Sequence, residues 1–485
     1  MIFHSRLPTW VLRLGTLLLG SLLCLSAALY NGFPLVTSDS GSYLNVAVRP
    51  EVPADRPITY GLFMLVTSLR FSYWLIIWAQ ALLLAGLLLR CLQAFVPQLT
   101  SRVLRLALVG LVAWATGFSW YCSQLMPDIF TAIGLLALGL LVLGKFRSSW
   151  EQIGLLGVLL LSTIMHNSNL LSFSLTALGF GVVAWQQRLF ARQLLRRAHW
   201  LAATATVLAG WVILPTLHAA YGGGFTLSRA APVFLMGRLV EAGIVDAYLE
   251  DHCGDEDATW LCAYRDHLPS DAIGFLWGAD SPYNKTGGLE ANLVGYRRIV
   301  HAIFTSPRYY PQLATMAVQS TLRQLTHFAH GDGLWAYREN SSPYWRIPDL
   351  APHEMKPYLS SLQNNNSLHF EDLNSRTYTA QVVALLAVAV AIAARPRYQQ
   401  QSQRATPALL LLTIWGLGLV ANAFAVGALA NVLDRLQGRV AWLLPLGALL
   451  LVAELLPALT DWVRARWAEH LGAGPAATSI PKDQP

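Results

Sequence analysis

Charge is what this sequence has least of. Of its 485 residues only 13% are Asp, Glu, Lys or Arg, where soluble domains carry about 25%, and the mean hydropathy is +0.44. With 54% hydrophobic residues, the chain reads as an integral membrane protein and not as a soluble enzyme. Cysteine is also scarce. Cys24, Cys91 and Cys122 fall in or at the ends of apolar segments, where a thiol acts as a small buried hydrophobe. Cys253 and Cys262 lie in a polar stretch, and their spacing is not that of a CxxC zinc or redox motif. If that stretch faces an oxidising compartment, a disulfide between them is expected. There is no GxGxxG after a strand, no Walker A pattern, no GxSxG and no HExxH. Nucleotide-dependent and serine-hydrolase readings therefore have no support, and no metal site is supported by motif. No cofactor follows from the residues, and the involvement of a divalent cation is left open. The net charge of +7 would point to nucleic acid only if it gathered on a soluble face. Topology explains it instead, so no nucleic-acid partner is expected.

What the sequence does have is long apolar runs. They predict an all-α polytopic membrane protein of about ten transmembrane helices: 12–30, 72–95, 104–121, 129–144, 151–165, a sixth returning to Arg188, 199–217, 378–394, 407–425 and 439–457. The first run is long and has no small-residue cleavage site after it, so it reads as an uncleaved helix. A short amphipathic helix is expected over 58–70. The organisation expected is an N-terminal transmembrane module 1–217 with a polar loop at 31–57, a mainly helical external region 218–377, a C-terminal transmembrane module 378–460 and a tail 461–485. The external region is too rich in aromatics to be disordered, and its stretch 290–330 reads as helices broken at Pro307 and Pro311. By this assignment the inner segments hold about seventeen Lys and Arg against about four acids, the positive-inside asymmetry. Both termini would then be cytoplasmic. Asp39, Asp128, His166, the large region and the turn Asn431–Arg439 would share the external face.

Each polar residue on that face has two readings. Asp39, among Ser, Thr and Gly, either caps the helix that begins near Ser42 or takes a proton from an attacking hydroxyl or amine. Asp55 and Arg56 form either an internal pair or a phosphate site, since the arginine fork binds two oxygens. Asp128, after Pro127, is a helix cap favoured by the helix dipole or a second pocket acid. His166, in His166-Asn-Ser-Asn169, is a satisfied turn histidine or an ionisable group near the membrane with a functional task. Arg229, Arg238, Arg435 and Arg439 are surface or ion-pair arginines, or contacts for a lipid-linked phosphate. Trp277, Tyr283, Trp335, Tyr337, Tyr344 and Trp345 suit sugar stacking, but Trp and Tyr also belong at any membrane interface.

Four features together resemble the GT-C superfamily of integral membrane glycosyltransferases: Ser38-Asp39-Ser40 followed by Tyr43 in the first external loop; Arg56-Pro57 with Tyr60 before the second span; Pro127-Asp128 opening the fourth; and a large external region after the seventh. The closing Arg439-Val-Ala-Trp-Leu-Leu-Pro445 is similar to the start of a late span in such enzymes. Within the superfamily the layout looks like the aminoarabinose transferases and protein O-mannosyltransferases that use polyprenyl-phosphate sugars. The resemblance covers the membrane half and hardly touches the large region. It implies a GT-C-like fold in a bacterial inner membrane with the large region periplasmic, and transfer of a sugar from a polyprenyl-phosphate or polyprenyl-diphosphate donor to a glycan, lipid or protein acceptor. Asp39 would be the general base. Tyr43, Asp55, Arg56, Tyr60, Asp128, His166, Arg229, Arg238, Arg435 and Arg439 would bind substrate or phosphate. Many members pair the first-loop acid with a second, whereas Asp39 is followed by Ser40, which weakens the carry-over of a two-acid or metal-binding role. The rival readings are a transporter or flippase for a lipid-linked glycan, and a non-catalytic subunit of an envelope-polysaccharide assembly.

Overall fold

The computed structural model describes residues 8–254, 259–398 and 406–470. Arg6, Arg404 and the tail beyond 470, assigned by sequence to the inner side, lie outside them. Among the described residues every regular element is a helix, and Leu35 and Gln124 form an isolated bridge. A bilayer core offers no water to a free N–H or C=O, so a spanning segment must satisfy its backbone internally. Six helices are long and apolar enough to cross: Tyr73–Phe95, Asn167–Gln186, Arg197–Ala220, Glu371–Ala393, Pro407–Gly427 and Asp434–Leu456, of 20 to 24 residues. At about 1.5 Å per residue each matches a hydrocarbon core about 30 Å thick.

The other four apolar runs are helical but shorter. Thr9–Cys24, Ile129–Val142 and Ser149–Met165 have 16, 14 and 17 residues, and Arg102–Thr116 has 15. Among the described residues, six helices thus qualify as spans by length and composition. Two runs read as continuous are broken. The first bends at Leu25 into Thr9–Cys24 and Ser26–Asn31. The third stops at Gly117, left-handed at φ 61°, before the short helix Phe118–Cys122.

Helix Ile129–Val142 is apolar on every side and every residue of it is buried, as expected for an element at the centre of a bundle. Helix Glu371–Tyr398 is the opposite case. Val382, Val383, Leu385, Leu386 and Val390 are all exposed, and only 17% of its most apolar window is covered by protein. That is a surface for lipid tails.

The large external region divides in two, where the sequence suggested one unit. Residues 233–316 build a core of their own around Met236, Leu239, Phe275, Tyr296 and Ile303, closed by the expected Cys253–Cys262 disulfide. Pro307 ends its long helix Gly288–Thr305, while Pro311 opens the next, Tyr310–Thr326. Residues 328–370 instead fold over the membrane module. Tyr337, Ile347, Leu350 and Tyr358 join the main core. Gln363 exchanges hydrogen bonds with the backbone of Val36, and Glu354 accepts from Ser72 Oγ and Tyr73 N. This lid over 31–73 rests on pairings hundreds of residues apart, which no local pattern announces.

His330 belongs to that lid. Its Nε2 is 3.1 Å from Thr377 Oγ1, its ring packs on Tyr121, and burial lowers it from 6.5 to about 4. The unfolded chain takes up this proton as the pH falls below about 6.5, while the native chain resists until about pH 4. Stability is therefore lost on acidification, by about 3 kcal/mol over that window. Thermal melts of His330→Gln should fall less steeply between about pH 6.5 and pH 4 than those of the wild type; parallel curves would exclude His330 as the cause.

Candidate functional site: a carboxylate between two arginines

Asp39 precedes helix Ser40–Val48 in the cap position, but its side chain caps nothing. Locally, Ser40 Oγ closes the turn before the helix by accepting from Thr37 N at 2.9 Å. This leaves both carboxylate oxygens to distant partners. Arg56 Nη2 reaches Oδ1 at 3.1 Å, and Arg435 Nη2, 396 positions away in sequence, reaches Oδ2 at 2.6 Å. Arg56 also grips Asp55 through Nε, at 3.1 and 3.0 Å, and its guanidinium lies 5.2 Å from the centre of the Tyr43 ring, a cation–π distance. The side chains of Asp39, Arg56 and Arg435 keep 24%, 15% and 18% exposure, so a ligand can reach them. Burial pushes the Asp39 carboxyl up, and the Arg435 and Arg56 charges override it, holding it well below the ordinary carboxylate range. In this state Asp39 is ionised but weakly basic.

The stretch expected to be a turn around Arg435 is a helix, Asp434–Ala441. Arg435 and Arg439 stand four residues apart and so share a face, but their side chains part. Arg435 goes out to Asp39, while Arg439 is fully buried and reaches Asp128 Oδ1 at 2.9 Å, Ser168 Oγ at 2.8 Å and Asn422 Oδ1 at 2.9 Å. Asp128 likewise stands in a cap position without capping, because its carboxylate is turned to Arg439. At Gly438 a side chain would run into the Tyr121 hydroxyl, so glycine lets this short helix come close.

His166 belongs to the same cluster. Its Nδ1 accepts from Ser168 N at 3.2 Å and lies 2.8 Å from Ser168 Oγ, capping helix Asn167–Gln186. Nδ1 as acceptor leaves the proton on Nε2. Burial first, then the charges of Arg439, Arg435 and Arg56, hold the ring well below its usual range, so it is neutral near pH 7. Tyr43 packs edge-on to Tyr60 at 5.0 Å. The Tyr60 hydroxyl is spent inward on Gln80 Oε1 at 2.7 Å, so Tyr60 serves here as packing.

Two predicted arginines are elsewhere. Arg229 is exposed and pairs with Glu290 at 2.6 Å. Arg238 is buried in the 233–316 unit against Glu241 at 2.6 Å, with Ser320. In their place the structure brings Asp332 to the cluster. Its carboxylate accepts from Arg435 N at 3.4 Å and is raised by burial, an effect the charge of Arg435 opposes. The sequence signal was there: Asp332 stands between Gly331 and Gly333, both at positive φ, the mark of a tight, specific turn.

Ser38, the residue before Asp39, lines a cavity of about 970 Å³ together with Trp335, Tyr337, Arg338, Asn340, Tyr344 and others. Ser342, one of its lining residues, packs so close to Gly41 that a side chain there would strike it. Four acids, Asp39, Asp55, Asp128 and Asp332, meet three arginines, Arg56, Arg435 and Arg439, in the cluster, and no three His, Cys, Asp or Glu among the described residues are grouped to hold a metal ion. A guanidinium pair on a carboxylate can exchange it for another oxyanion, phosphate above all. Comparison with protein-family models, curated proteins and solved structures finds no match to this chain.

Proposed function

We propose that this chain is a GT-C-like membrane glycosyltransferase that uses a polyprenyl-phosphate or polyprenyl-diphosphate sugar. The observation that carries the reading is Asp39 held by Arg56 and Arg435 beside an aromatic-lined cavity. The donor phosphate displaces the carboxylate from the two guanidiniums, whose forks suit phosphate oxygens. Freed of their charge, Asp39 becomes a stronger base at the moment substrate arrives. It takes the proton of the acceptor hydroxyl or amine as that group attacks the anomeric carbon. The bond from that carbon to the phosphate oxygen breaks, and its electron pair leaves on the phosphate, which the arginines stabilise. Trp335 and Tyr344 offer ring faces, and Asn340 and Ser38 offer hydrogen bonds, for the sugar of a glycan acceptor. In this reading the membrane is a bacterial inner membrane, with the cluster on the periplasmic side and the arginine-rich ends on the cytoplasmic side.

The test is the lipid-linked saccharide pool in cells lacking the protein, complemented by wild type or by Asp39→Ala at matched expression. One undecaprenyl-linked sugar should accumulate and be cleared by the wild type alone. If both versions restore the pool, Asp39 has no part in transfer and the reading fails.

A further inference from the structure

At the end of the bundle opposite Asp39, a cavity of about 370 Å³ lies between four helix ends. Arg13 comes from Thr9–Cys24 and Arg90 from Tyr73–Phe95. Arg102 and Arg105 belong to the first turn of Arg102–Thr116, Glu151 to the first turn of Ser149–Met165, and Arg147 to the loop just before it. Five arginines thus face one acid. Glu151 is already committed to Arg90 Nε at 2.5 Å and to the Arg147 backbone N–H at 2.6 Å, so it neutralises one of the five. Arg105 is held in place by donating to Leu99 O at 2.8 Å, and Arg147 by Gln93. The side chains of Arg13 and Arg102 have no partner among the described residues.

This charge is placed against local electrostatics. A helix N-terminus carries positive partial charge, and acids are the stabilising residues there. Helix Arg102–Thr116 has no acid in its first turn and two arginines instead. An anion seated among them would relieve both the mutual repulsion and the conflict with the dipole. The deeper wall is apolar, formed by Leu17, Leu87 and Leu155. A cavity that is cationic at the helix ends and hydrocarbon toward the bundle has the two-part chemistry of an anionic phospholipid: a phosphodiester headgroup and an acyl chain. Basic pockets between transmembrane helices are a known form of headgroup site.

We propose that this cavity binds an anionic phospholipid of the surrounding bilayer, with Arg13, Arg102 and Arg105 on the headgroup phosphate and the acyl chain against Leu17 and Leu87. The site is separate from the Asp39 cluster and does not depend on the transferase reading. The test is native mass spectrometry and thermal melting of the purified protein with phosphatidylglycerol, phosphatidylcholine or sn-glycerol 3-phosphate. Phosphatidylglycerol should be retained and raise the melting temperature, with phosphatidylcholine and glycerol phosphate much weaker. Arg13→Gln/Arg102→Gln, which removes no contact within the protein, should cut phosphatidylglycerol affinity by roughly thirtyfold. If the double variant does not fold, Arg13→Gln alone at the exposed helix end should show a loss of roughly fivefold. Equal retention of the two lipids would overturn the proposal, as would variants that bind phosphatidylglycerol like the wild type. Stabilisation by glycerol phosphate as strong as by the lipid would reassign the cavity to a free phosphate.

Discussion

Asp39→Asn should lower turnover by roughly 10²- to 10⁴-fold, the range a positioned general base contributes, while leaving donor affinity unchanged or tighter. The two halves of this expectation come from the same geometry. Asp39 accepts from Arg56 at 3.1 Å and from Arg435 at 2.6 Å, so in the unliganded protein it competes with the donor phosphate for both guanidiniums. Asparagine removes the competitor's charge as well as the base. Arg435→Gln should act the other way. One phosphate ligand is lost, KM rises, and Asp39 is left with Arg56 as its single cationic partner, so its carboxyl becomes more basic. Single-turnover assays with a polyprenyl-phosphate sugar separate the effects. If Asp39 were only a charge balancing two arginines, Asp39→Asn would show a lowered melting temperature and a turnover within a few-fold of wild type.

The competition also shows what sequence could and could not reveal. That Asp39, Asp128, His166, Arg435 and Arg439 would share one end of the molecule was legible, because apolar runs and arginine-rich ends order the chain across a bilayer. The Cys253–Cys262 bridge and the helical character of the large region were legible from composition and spacing. Which carboxylate meets which arginine was not. Asp39 and Asp128 both look like helix caps, since an Asp just before a helix usually is one. Their carboxylates are diverted by arginines from residue 435 onward, a contact with no local trace. Arg229 and Arg238 fail for the converse reason. Their acids, Glu290 and Glu241, belong to a separate 233–316 core whose existence depends on tertiary packing. The two-way split of the large region is likewise decided by buried pairings such as Gln363 with Val36.

The second large effect concerns stability. Arg439→Ala or Asp128→Ala should destabilise the protein by about 3–5 kcal/mol, the usual cost of stranding one partner of a buried ion pair. Against a total stability of about 5–15 kcal/mol, either variant is close to unfolding and should be recovered in low yield. The two side chains are 0% and 2% exposed, so water cannot take the place of the lost partner. Arg439 does more than neutralise Asp128. Its fork ties helix Asp434–Ala441 to the head of Ile129–Val142, to Asn167–Gln186 through Ser168 and to Pro407–Gly427 through Asn422. Asn422 returns the contact by donating to Leu436 O at 2.8 Å. Arg439→Lys keeps the charge without the fork and should recover only part of the loss. Asp128→Leu/Arg439→Met removes both charges at once and should be more stable than either single alanine variant, because no ion is left buried alone. Melting temperatures of the four variants and the wild type in one detergent decide this. If Arg439→Ala melts with the wild type, the pair does not hold the helices together. Its buried position would then have to be explained by the support it gives Arg435, one turn earlier on the same helix and bound to Asp39.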